Sequence, residues 1–120
     1  MAALLVLGAP ALAQDLEPGD LERGRALWAK CRACHTVEKG GRNLVGPRLH
    51  GMFARKSGEV ADFRYSPALK SAGLVWNDDM LDRYLAATQE VVPGGKMYGG
   101  LAIAQDRADL IAWLKKATVE

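Results

Sequence analysis

The sequence predicts an all-α domain in which several short helices and long loops wrap around one large bound group. Three observations predict it. No stretch keeps strand-period alternation for long. Helix-starting signals recur at Asp20, Ser66, Asn77 and Asp106, each followed by a short apolar face. Glycine and proline gather in residues 40–51 and 93–100, stretches too long to be plain connections in a compact domain. Short helices strung on such loops form a poor core by themselves, so something sizeable must fill the centre.

The first helix should run from residue 21 to about 30, with Asp20 as its N-cap. Leu21, Gly24, Leu27 and Trp28 make its apolar stripe. A glycine inside that stripe weakens the helix by about 1 kcal/mol relative to alanine, which makes sense if another helix crosses there at close range. Ser66-Pro67 pairs an N-cap with a proline at the first helical position and opens a second helix, closed near Gly73. Asn77 caps a third, with Asp78 and Asp79 placed where the helix dipole favours negative charge. Its apolar face holds Met80, Leu81, Tyr84 and Leu85. The last helix should begin at Asp106, with Asp109 in the capping-box position, Leu110, Ile111, Trp113 and Leu114 facing inwards, and Lys115 and Lys116 near its end.

What fills the centre is spelled by Cys31-Arg32-Ala33-Cys34-His35. C-x-x-C-H is the attachment pattern of a c-type haem. The spacing sets two sulfurs one helical turn apart, so each can form a thioether with one vinyl group. The adjacent histidine then lies under the metal. Other chemistries fit worse. A tetrahedral zinc site would have to recruit Cys31, Cys34, His35 and His50, with neighbours Cys34 and His35 aimed at one ion. A thioredoxin-like pair needs a preceding strand, and the flanks read as helix. The chain has only these two cysteines, so no further disulfide or cluster is open to it.

Composition bounds the rest. At 120 residues and 49% hydrophobic content the chain makes one globular domain. A net charge of +2 is too small for a nucleic-acid binder. Residues 1–13, MAALLVLGAPALA, are uncharged, almost wholly apolar and too short to span a bilayer, which takes about 20 residues. They end in Ala11-Leu12-Ala13, a small-x-small cleavage pattern, and read as the core and cleavage site of a secretory signal peptide whose basic start lies further upstream. The mature domain is then 14–120, exported across the inner membrane to the periplasm, where thioether formation to haem takes place.

An electron-carrying haem iron wants a second axial ligand besides His35. Met97, in Pro93-Gly-Gly-Lys-Met97, is well separated from His35 and lies in a loop. His50, Met52 and Met80 are alternatives, although methionine more often fills gaps in a core. An open sixth position would instead suit a peroxidase or gas sensor.

These residues carry a resemblance. CRACHTVEKGG, VGPRLHG, FARKSG, FRYSPALK, the isolated Trp76, DRYLA, VPGGKM and DLIAWLKKAT occur in the order found in class I cytochromes c, and from residue 19 to 120 the chain resembles the mitochondrial and periplasmic members of that family. The resemblance implies the class I cytochrome c fold around one haem c, bound through Cys31 and Cys34 and ligated by His35 and Met97. It implies that the Pro47 carbonyl accepts a hydrogen bond from the His35 ring, and that the Tyr84 hydroxyl approaches the methionine sulfur. Arg55, Tyr65 and Trp76 become donors around the inner propionate. Gly24, Trp28, Leu110 and Trp113 become the crossing of first and last helices. The implied function is one-electron transport by a monomeric periplasmic carrier, not an enzyme. Its donor would be a membrane quinol-oxidising cytochrome complex or a periplasmic dehydrogenase. Its acceptor would be a terminal oxidase of a respiratory chain or a photosynthetic reaction centre. Lys30, Arg32, Lys39, Arg42 and Lys96 are candidates for a basic docking rim. Departures from the pattern are Leu69 and Gly95 in place of polar residues, Gly99 where an aromatic is frequent, and Gln89 and Glu90 at positions that are frequently basic.

Overall fold

The computed structural model describes residues 16–120, and the expected signal peptide at 1–13 lies outside them. Five α-helices follow one another: α1 (Leu21–Leu27), α2 (Pro67–Ala72), α3 (Asp78–Ala86), α4 (Thr88–Val91) and α5 (Ala104–Ala117). Two 3₁₀ turns, Trp28–Lys30 and Met52–Ala54, complete them. Among the described residues the only β-pairing is an isolated antiparallel bridge between Lys56 and Val75. The two glycine- and proline-rich stretches contain no helix.

Three helices start where a side chain meets the orphan N–H groups of a first turn. Asp20 accepts from Arg23 N, Ser66 from Leu69 N and Asn77 from Met80 N. The first helix tightens into 3₁₀ geometry over its last three residues, delivering the chain into Cys31.

The expected start of the last helix needs correction. α5 begins at Ala104, two residues before Asp106, and its N-cap Ile103 makes no side-chain bond. Asp106 lies in the first turn and pairs with Arg23 at 3.1 Å. Asp109 does not cap its own helix. It is completely buried, and its Oδ1 accepts from Asp20 N at 2.8 Å and from Gln105 Nε2 at 3.0 Å. Gln105 also brackets Glu17, its Oε1 accepting from Glu17 N and its Nε2 donating to Glu17 O. The acid therefore caps a different helix, binding the start of α1 to α5.

α1 and α5 cross at Gly24. A Cβ on this residue would overlap the Asp109 carbonyl oxygen and stand 2.7 Å from Trp113 Cβ. Trp28 and Trp113 stack obliquely beside the crossing, with ring centroids 5.5 Å apart. Leu21 departs from the expected stripe and is exposed. The core proper joins Met52, Leu81, Leu85, Leu101, Leu110, Ile111 and Leu114, with Leu27, Cys31, Leu49, Trp76 and Met97 packed on it half-buried.

Asp109 gives the first test. Asp109→Ala leaves the Asp20 N–H unmet inside the helix crossing and takes one acceptor from the Gln105 amide, which keeps its bonds to Glu17. The second carboxylate oxygen is buried without a hydrogen bond, 3.6 Å from Arg23 Nε, so its removal returns part of a desolvation cost and offsets some of the loss. The expected loss is about 2 kcal/mol, read as a lower urea midpoint at unchanged slope.

Candidate haem site

The segment around the two cysteines is a pair of tight turns. Cys34 N and His35 N both donate to Cys31 O at 3.1 Å, which winds the chain between the two cysteines into a single turn. Both are half-buried and not joined to each other. Burial pushes the Cys31 thiol upward, the nearby Cys34 adds to this, and Lys30 opposes it. Cys31 is therefore a thiol at neutral pH.

The loop from 36 to 49 folds back over His35. Gly46 N donates to Cys34 O at 2.7 Å and Leu49 N to Thr36 O at 2.8 Å. These bonds bring Pro47 O to 2.8 Å from His35 Nδ1. A carbonyl only accepts, so Nδ1 carries the proton and Nε2 keeps its lone pair. Burial also pushes the His35 pKa down, against the opposing pull of the Pro47 bond, which keeps the ring neutral. Gly46 is required by this packing, because a Cβ there would overlap the imidazole.

The remaining residues named from the sequence fall into two groups. The Lys56–Val75 bridge, with Ser57 N donating to Leu74 O at 2.8 Å, brings the segment of Arg55 alongside that of Trp76. Arg55 is half-buried and donates to His50 O at 2.7 Å and to Arg48 O at 2.6 Å. Tyr65 lies near enough to act on the Arg55 guanidinium, and its hydroxyl oxygen accepts from Val60 N at 3.0 Å. Trp76 meets Tyr84 edge-on at 5.2 Å. Burial raises the Tyr84 pKa, so its hydroxyl remains a donor.

Among the candidate sixth ligands, Met97 lies half-buried on the loop after α4, against the core that Cys31 also touches. His50 points elsewhere. Its Nε2 lies 3.2 Å from Glu120 O at the chain's end. Met52 is 4% exposed and belongs to the core, and Met80 is a half-buried residue of α3. Among the described residues no group of three or more His, Cys, Asp or Glu side chains could share a metal ion, which disposes of the zinc arrangement.

The donor set fits a c-type haem: two unbridged thiols on one turn, a neutral imidazole with its bare nitrogen fixed by a backbone carbonyl, and a thioether on a separate loop. A residue marked in the sequence only as a departure from the family pattern also belongs here. Gln89, on α4, donates from Nε2 to Gly95 O at 2.9 Å and to Met97 O at 3.0 Å.

Comparison with known proteins agrees. The family model described as Cytochrome c matches residues 21–118. A cytochrome c of Gibberella zeae is 49% identical over 102 residues, covering 83% of this chain and 96% of that protein. One from Theileria parva is 48% identical, covering 83% and 88%. One from Arabidopsis thaliana is 44% identical, covering 83% and 91%. With a helical fold that holds no strand among the described residues, as anticipated for class I, the chain belongs to the cytochrome c family and is an electron carrier, not an enzyme, built around one covalently bound haem c.

Proposed function

We propose that the chain is an exported, monomeric one-electron carrier whose haem is attached through Cys31 and Cys34 and ligated by His35 and Met97. The observation that carries this reading is the imidazole: its Nδ1 is committed to Pro47 O at 2.8 Å, which leaves Nε2 as the bare nitrogen on the residue that directly follows Cys34. A bound haem supplies a ferric/ferrous couple, whose potential a thioether ligand raises. The chain's own residues do the rest. Pro47 holds the His35 ring and increases its basicity. Arg55, Tyr65 and Trp76 offer N–H and O–H groups to a propionate that would be costly to bury alone. Tyr84, protonated through burial, has a proton to offer the methionine sulfur.

Lys30, Arg32, Lys39, Arg42 and Lys96 are all exposed, and the ion pairs among the described residues engage Arg23, Arg48, Arg107 and Lys115 instead. They suit a rim that steers the carrier onto acidic docking faces. The partners of that rim are a membrane quinol-oxidising cytochrome complex or a periplasmic dehydrogenase as donor, and a terminal oxidase or photosynthetic reaction centre as acceptor. Export to the periplasm is supported by the apolar segment 1–13 and its Ala-Leu-Ala ending. No helix among the described residues is long and apolar enough to cross a membrane.

The test is expression of the full chain in a bacterium with haem-attachment machinery. Expected are a coloured periplasmic fraction, an intact mass equal to residues 14–120 plus one haem, and a weak red sulfur-to-iron band in the ferric spectrum. A mass matching bare polypeptide, or a high-spin ferric protein that takes up cyanide at once, would overturn the reading. Partner reduction rates that ignore ionic strength would remove the steering rim alone.

A further inference from the structure

We infer that Gln89 is the positioning residue for the Met97 ligand, a role that rests on the ligation proposed above. The loop carrying Met97 is poorly tied. Gly95 N donates to Val92 O at 3.0 Å, and the next backbone bond along the chain is Leu101 N to Leu85 O. Among the described residues, the only hydrogen bond to any backbone atom of 96–100 is the one from Gln89 to Met97 O. The same nitrogen donates to Gly95 O, so one carboxamide holds the loop on both sides of Lys96. Both acceptors are carbonyls. Only the NH₂ end of the amide can face them, and its two protons match two acceptors.

The resemblance explains why such a clasp is needed. Gly95 replaces a hydroxyl-bearing residue beside the ligand, and glycine leaves this loop with more backbone freedom to lose. Gln89 in turn stands where a basic residue is frequent. A glutamine there removes one rim charge and directs two neutral donors inward. Asparagine is one methylene shorter, leucine has no donor, and glutamate would turn carboxylate oxygens towards two carbonyl oxygens.

A clasp on the ligand loop should be felt in competition for the iron. In the holoprotein, Gln89→Leu is expected to weaken the red band and to raise the affinity of the ferric form for added imidazole about tenfold, the equivalent of one or two lost hydrogen bonds. Gln89→Glu should raise it further. The reduced protein's far-ultraviolet circular dichroism should be unchanged in both. A purely structural role would lower the urea midpoint without shifting this competition. Imidazole affinity within twofold of wild type in both variants would overturn the role. The unmodified protein offers a test free of folding losses: the two Gln89 side-chain amide protons should exchange slowly with solvent, and rapid exchange of both would equally overturn it. Absence of the red band in the wild-type protein would instead overturn the Met97 ligation itself.

Discussion

Gly24→Ala is expected to destabilise the protein by about 3 kcal/mol, at the upper end of what overpacking a well-filled interface costs. For a domain near 100 residues that corresponds to a fall in Tm of roughly 12–24 °C. Two effects oppose each other. Alanine is intrinsically the better helix former by about 1 kcal/mol. Against this, the new methyl would overlap the Asp109 carbonyl oxygen and press on Trp113 Cβ, 2.7 Å away. A side-chain tip could swing aside, but a helix backbone cannot. Relief requires α1 and α5 to separate, which loosens the Trp28–Trp113 contact and draws Asp109 away from Asp20 N. The steric term therefore wins. Ala26→Gly, on the exposed face of the same helix, isolates the propensity term and should cost only about 1 kcal/mol. Thermal melts of both variants check the prediction. A Gly24→Ala protein that melts with wild type would mean that the helices are not in contact at this residue.

The contrast between these two positions shows what a linear reading can reach. The caps at Asp20, Ser66 and Asn77 were legible because each acts on an N–H three residues along, so sequence spacing is spatial spacing. Gly24 was legible because a glycine in an apolar stripe has few explanations other than close approach. Asp109 was misread because its partner is not local: an acid in the register of a capping box is used across the helix crossing by a residue far away in the chain. Leu21 was misread because periodicity cannot tell the edge of a buried stripe from its centre. α4 has no counterpart among the elements expected from the sequence. It has four residues, no capping side chain and a start at Ala87 in an irregular conformation, so nothing in its composition announces a helix.

The site divides along the same line. His35 and its cysteines are one contiguous motif and needed no fold to be found. Pro47, Arg55, Tyr65, Trp76 and Tyr84 come from resemblance, and four of them meet through contacts no spacing rule contains: the Pro47 carbonyl at 2.8 Å from His35, the bridge beside Arg55 and Trp76, and the edge-on meeting of Trp76 with Tyr84. From the sequence Gln89 is only a departure from the family pattern, a neutral residue at a position that is frequently basic. Its hydrogen bonds turn inward because α4 folds back over the loop that follows it. The one signal available in advance was a pair of coincident departures from the family pattern, a lost hydroxyl at 95 and a lost charge at 89.

Met97→Ala should change the chemistry more than any other single substitution on the described surface of the site. The ferric protein should lose its red band, become high-spin or water-ligated, and bind cyanide and imidazole rapidly. Its reduction potential should fall by on the order of a few hundred millivolts, since axial ligands move haem potentials over about 0.8 V and a thioether favours the ferrous state. The mass should remain that of the haem-bearing chain, because attachment depends on Cys31 and Cys34 and not on this loop. Two controls make the outcome specific. Met52→Leu and Met80→Leu keep volume and remove sulfur at the other candidate methionines; both should retain the red band, since Met52 is committed to the core at 4% exposure and Met80 to α3. A band that survives in Met97→Ala and vanishes in one of these would move the ligand to that residue. His50 is separated from the same question by its bond distance of 3.2 Å to the Glu120 carbonyl: its replacement should loosen the chain's end and leave spectrum and potential alone.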